Sequence, residues 1–163
     1  MICVRMGVMD ESQIDIEDDG GEGKCLMMTM KNVWNEDVML CGLYAPVNGA
    51  ERQKWMTHVG KRMKKKKSMK MIAGDMNFVM NTRLDKIRGN QKRGTAGREQ
   101  QLTWEREMNL TDIWRDRNPT TIATTWSSSR KNDKKAVKTR LDRSLIDERL
   151  ETKTTDVGIV KMK

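Results

Sequence analysis

Four consecutive residues carry the first chemical suggestion in this 163-residue chain. Gly74-Asp75-Met76-Asn77 stands at the abrupt end of an apolar run of strand length, residues 68–73. Side chains two apart on a strand point to the same side, so Asp75 and Asn77 can face one cleft from a strand end. A carboxylate there can position or deprotonate a water, or hold Mg2+ through oxygen, and an amide can bind a phosphate oxygen. Phosphodiester hydrolysis needs those two groups. The same residues also suit a plain turn, because Asp and Asn side chains bond to backbone two residues on. Two further segments flank them in order. Leu43-Tyr44-Ala45-Pro46-Val47-Asn48 lies upstream at a strand end, and Thr139-Arg140-Leu141-Asp142-Arg143 lies downstream within a strand-like stretch. Tyr44 also reads as a simple strand aromatic, and Asp142 as an ion-pair partner for Arg140 or Arg143. The sole histidine, His58, falls mid-helix and reads as a helix-surface residue rather than a catalyst.

The elements that would position these residues follow from hydrophobic spacing. Residues 24–30 and 37–44 are apolar runs separated by a turn-forming stretch at 32–36, which predicts a β-hairpin. Trp55, Val59 and Met63 repeat at i, i+4, i+8, one face of a helix over residues 50–66. The Lys/Arg run at 61–67 at its far end reads as a solvated helix terminus, where cations complement the dipole. Residues 98–109 predict a second helix, with Leu102, Trp104 and Met108 as its apolar face. A polar loop is expected over 81–97. Residues 124–127 read as β-type, 138–147 as one strand, and 156–162 as a last one. The acidic, glycine-rich stretch before residue 24 reads as an exposed loop, preceded by a short apolar start at 2–8. The chain thus divides into an N-terminal segment, 1–23, and a layered α/β or α+β domain, 24–163.

Composition bounds the function. The net charge of +9 makes a polyanion, above all nucleic acid, the natural partner. Cys3, Cys25 and Cys41 form no C-x-x-C pair, so a zinc site or disulfide framework is not indicated, and a reducing compartment fits. No apolar run is long enough to span a bilayer, and no secretory signal is present. Fifteen methionines imply a loosely specified core, since Met fills gaps but dictates packing poorly.

Taken in order, the motifs resemble the endonuclease/exonuclease/phosphatase superfamily, relatives of apurinic endonucleases and DNase I. Most closely they resemble the endonuclease domain of non-LTR (LINE-type) retrotransposons. That family has a Y-A-P-N-like turn after a strand, a helix, G-D-F-N, and later an S-R-L-D-R-like strand. Its retrotransposon members continue from G-D-F-N into V-x-x-x-x-D-R/K, matched here by Phe78-Val79-Met80 through Leu84-Asp85-Lys86. They also carry L-x-D-x-W-R-x-x-N-P before T-x-T-W, matched by Leu110, Asp112, Trp114-Arg115, Asn118-Pro119 and Thr125-Trp126.

The resemblance implies a four-layer α/β/β/α sandwich of the DNase I-like type and a Mg2+-dependent DNA endonuclease, Mn2+ being the substitute ion. Asp75 would orient or activate the attacking water, Asn77 bind the phosphate, Tyr44 contact the scissile phosphate or support the active site, and Asp142 orient a catalytic histidine. Arg140 and Trp126 are the expected DNA contacts. DNA is the implied partner, with a reverse transcriptase fused or downstream, no membrane, and nuclear location. The family's early Asn and its metal-holding Glu have no counterpart in residues 1–23. Where the family ends in S-D-H, this chain has Thr155-Asp156-Val157. The metal ligand is therefore unknown, and a weak or inactive copy, incomplete at both ends, is expected. Two other readings stay open: a non-catalytic, basic nucleic-acid-binding remnant, and a phosphatase of the same superfamily.

Overall fold

A computed structural model describes residues 10–18, 24–90, 94–128 and 135–159. Its frame is a six-stranded mixed sheet in the order β1-β2-β3-β4-β9-β6. β2 (Cys25–Val33) and β3 (Glu36–Tyr44) form the expected hairpin, with Met27 opposite Cys41 and Met28 opposite Leu40. β3 then crosses through α1 (Gly49–Lys64) to the parallel strand β4 (Met69–Asp75). β9 (Asp142–Asp147) lies antiparallel to β4, and the short β6 (Leu110–Asp112) borders it.

Two expectations change at the edges. The acidic segment before residue 24 is not all loop: Ile14–Asp18 forms β1, paired with β2 from Ile14–Met30 to Asp18–Leu26. Ile14 and Ile16 alternate with Asp15 and Glu17, a period of two that the surrounding charge obscures. The single strand expected over 138–147 is two. β8 (Lys138–Thr139) joins β5 (Lys86–Ile87) and β7 (Trp126–Ser127) in a small second sheet, and the chain leaves it at Arg140 to enter β9. No strand occupies 156–159; the rest of the expected last strand and the apolar start at 2–8 lie outside the described residues.

The two long helices cover one face of the main sheet. Asn48 caps α1, its side chain accepting from the Ala50 and Glu51 amides at 3.0 and 3.1 Å. The buried stripe of α1 is Met56, Val59 and Met63, with Trp55 half-buried beside it. α2 (Arg98–Met108) buries Gln101 and Trp104 and leaves Leu102 exposed. These side chains pack on Met27, Met39, Cys41, Leu43, Ile72 and Leu145. The basic helix end is tied down: Lys64 pairs with Glu107 at 3.1 Å, and Lys66 and Arg62 both pair with Glu17.

Among the described residues, the opposite face is covered at one end only. There Ile113 of α3 (Ile113–Arg117) and Leu150 of a 3-10 turn (Glu148–Lys153) lie over Val38, Met69 and Ile146. Beyond them a groove of about 760 Å³ runs along the sheet past Leu26, Leu40 and Met71 to Tyr44. Of the four expected layers, the described residues build one helical layer and one main sheet. No helix among them is long and apolar enough to cross a membrane.

Candidate active site

Strand register brings the chemistry-bearing residues together. Tyr44 ends β3 opposite Asp75, which ends β4, and Asp75 in turn stands opposite Asp142, the first residue of β9. Residues opposite one another on adjacent strands project to the same face. Three neighbouring strands therefore place a phenol and two carboxylates in one row at the rim of the groove. Tyr44 is 53% exposed, Asp142 is exposed and Asp75 is half-buried.

Asn77 sits just past the row. Asp75 Oδ1 accepts the Asn77 backbone N–H at 2.7 Å, the side-chain-to-backbone bond two residues on that defines such turns. This bends the chain so sharply that Asn77 takes a left-handed φ of 52°, which Asn tolerates better than most residues. The turn reading and the site reading of Gly74-Asp75-Met76-Asn77 thus coincide. Asn77 Nδ2 donates to the Ala45 carbonyl at 2.6 Å. Gly74 allows the strands to close: a Cβ there would fall 1.9 Å from the Leu43 carbonyl oxygen.

Burial pushes the Asp75 carboxyl above its ordinary range, and the negative charge of Asp142 adds to this. The Asn77 N–H, Arg143 and Arg52 pull the other way without cancelling it. A half-buried carboxylate with a raised pKa suits general-base work. Asp142 has no histidine to orient: His58 is exposed on α1, the helix that packs on the other face. Asp75 and Asp142 offer oxygen donors of the kind Mg2+ prefers, but among the described residues no three His, Cys, Asp or Glu side chains gather to hold an ion. The described residues do not make a metal cage.

Arg140 takes a different place from the one expected. A DNA contact needs an exposed guanidinium, and Arg140 is 1% exposed. Its Nε donates to Asp85 at 2.8 Å and its Nη2 to Asp112 at 2.7 Å, over the Trp114 ring. Arg115 joins Asp85 from α3 at 2.5 Å. Burial alone would raise Asp85, yet Arg140, the Asn81 N–H and Arg115 hold its carboxyl below the ordinary range. The D-x-W-R and V-x-x-x-x-D segments of the sequence are thus one buried clasp, locking the 79–90 loop and α3 against the approach to β9. Trp126, by contrast, is 48% exposed, opposite Thr139 on the small sheet.

Sequence reading missed Arg52 and offered Arg143 only as an ion-pair partner for Asp142; both are buried beneath the row. Arg143 donates to the Phe78 carbonyl at 2.8 Å and stacks on its ring at 4.5 Å. Burial and the neighbouring Arg140 push it down to about 10, so it remains a cation at neutral pH. An arginine three residues before a tryptophan on a helix carries no signal of such burial.

The fold has relatives among solved structures. No family model matches the sequence, and no curated protein matches it. An AP endonuclease from Leishmania major superposes with a TM-score of 0.63 at 19% identity, over 83% of this chain and 50% of that one. The fold is that of the AP endonucleases. A 3'-5' exonuclease from Neisseria meningitidis superposes with a TM-score of 0.64 at 14% identity, over 85% and 59% of the two chains. A Neisseria 3' phosphatase bound to a product DNA hairpin gives 0.65 at 16% identity, over 82% and 56%. The chain spans between half and three-fifths of the length of these AP endonuclease-fold structures.

Proposed function

We propose that this chain is a DNA phosphodiesterase, a nuclease that nicks one strand to leave a 3'-hydroxyl. The observation that carries the reading is the Tyr44–Asp75–Asp142 row across three adjacent strands, with Asn77 turned in beside it. Asp75 takes a proton from a water attacking phosphorus, the new O–P bond forms, and the bond from phosphorus to the 3'-oxygen breaks, the departing oxygen taking its proton from solvent water. Asn77 and Tyr44 hold the phosphoryl oxygens in line, and Asp142 keeps Asp75 basic. DNA as substrate is supported by the net charge of +9 and by the DNA hairpin held in the Neisseria relative. The ordered Trp114-Arg115, Asn118-Pro119 and Thr125-Trp126 segments favour the finer reading: target-site nicking for LINE-type retrotransposition, with Mg2+ as cofactor and a reverse transcriptase as partner.

The test is nicking of supercoiled plasmid by the purified chain with Mg2+, Mn2+ or EDTA, beside Asp75→Ala. Metal-dependent nicking that falls by roughly 10²–10⁴-fold in the variant supports the proposal. A folded wild type no faster than Asp75→Ala would sink it. That second outcome would favour a basic DNA-binding protein without cleavage, a reading that the lack of a three-ligand cluster among the described residues supports.

A further inference from the structure

Buried arginines normally sit against carboxylates, as Arg140 does with Asp85 and Asp112. Arg52 is 3% exposed on α1 and is satisfied differently. Its Nη1 donates to the carbonyls of Pro46 and Val47 at 2.8 and 2.9 Å, and its Nε to the carbonyl of Ala96 at 2.7 Å. Pro46 and Val47 belong to the turn that follows Tyr44. Ala96 lies 44 residues away from Arg52, in the loop before α2.

Both ends of this bridge lead to the candidate site. On the turn side, the neighbouring Ala45 donates its N–H to the Asp75 carbonyl at 2.8 Å and accepts the Asn77 side chain at 2.6 Å. Arg52 therefore grips one flank of a turn whose other flank sets the direction of the Asn77 amide. On the loop side, Gly94 accepts the Val79 N–H at 2.7 Å, and Gly97 sits so close to Phe78 that a Cβ would fall 2.9 Å from its ring. The Phe78 ring itself lies near both guanidinium groups, Arg52 at 6.0 Å and Arg143 at 4.5 Å. The chain on either side of Asn77 is thus fixed from one point.

We propose that Arg52 is a positioning residue for the proposed phosphodiesterase, holding the Tyr44 turn and the Asn77 segment in register through three backbone carbonyls. The inference rests on the functional reading above. Only a planar fork reaches three carbonyls in these directions; a lysine ammonium of the same charge does not. Arg52 is also one of the cations acting on Asp75, so its loss changes the site's field as well as its shape.

The experiment compares the full chain with Arg52→Lys and Arg52→Ala. Amide hydrogen exchange at Ala45, measured without DNA, is expected to speed up by about tenfold or more in both, while core amides such as Cys41 and Ile72 stay within about twofold. In nicking, kcat is expected to fall by about tenfold or more with KM for DNA within about twofold, because Arg52 is buried and touches no substrate. Guanidinium ion is expected to restore most of the lost kcat in Arg52→Ala, and urea to restore none. Folded variants with wild-type Ala45 exchange and kcat overturn the inference, as does a raised KM with unchanged kcat. Loss of the folded core in both variants also overturns it, since Arg52 would then serve the whole fold. A wild type that does not nick removes the proposed function alone, and Ala45 exchange then decides the role of Arg52.

Discussion

Asp75 is where stability and chemistry conflict. Because burial raises its pKa, the folded chain holds this proton more tightly than the unfolded one. The favourable contribution is complete below the unfolded pKa and is lost as pH climbs through the folded value. At neutral pH the ionised side chain therefore opposes folding. Asp75→Asn is expected to raise the melting temperature at pH 7 by a few degrees at most, about 4 °C or less, and to lose that advantage near pH 4, while nicking disappears. Melting curves at the two pH values, run beside the plasmid assay, check this. Asp85 behaves oppositely. Its lowered pKa stabilises the fold above the unfolded value and is lost as pH falls through the folded one. Asp85→Ala leaves Arg140 buried without one of its two carboxylates and is expected to cost about 3–5 kcal/mol in urea unfolding. The two aspartates also show what sequence conveys at this scale. The order of motifs singled out Tyr44, Asp75 and Asp142, which the register sets side by side, and Asn77, which the turn places just past them. It could not distinguish an exposed arginine from a buried one, so Arg140 was expected on the DNA and Arg52 passed unnoticed.

The β3–β4 crossover is the element on which the site depends. Both strands end at the same level, and the parallel pairing runs unbroken from Val38–Met69 to Tyr44–Asp75. Gly74 has a φ of 150°, and any side chain there would meet the Leu43 backbone. Gly74→Ala is expected to cost on the order of 3 kcal/mol or more and to abolish nicking by parting Tyr44 from Asp75; thermal unfolding with the plasmid assay reads both. Gly60 is the matching constraint between the helices, where a Cβ would fall 2.1 Å from Trp104 Nε1. Periodicity revealed the hairpin, both long helices and β4 because each buries one continuous face. It failed where pairing partners, rather than local pattern, decide the structure. β1 forms because Met28 and Met30 are there to receive Ile16 and Ile14. The 138–147 stretch splits because Arg140 is drawn into the clasp between the two sheets.

At the scale of the whole molecule, charge and core point to different behaviours. With a net charge of +9, DNA binding is expected to weaken on the order of a hundredfold or more over a fourfold rise in salt. Titrations of labelled duplex at several salt concentrations test this, and a flat response would refute phosphate-dominated contact. The core behaves differently because so much of it is methionine: Met27, Met39, Met56, Met63 and Met76 all lie inside the main cluster, while Met71 is exposed at the groove. Sulfur that peroxide can reach becomes sulfoxide, a polar group that a packed interior rejects. Met71 should therefore oxidise at the rate of a free thioether, and the buried five only as fast as the fold opens around them. Peptide-resolved oxidation in dilute peroxide would then serve as a clock for local opening, read from side chains the protein already carries.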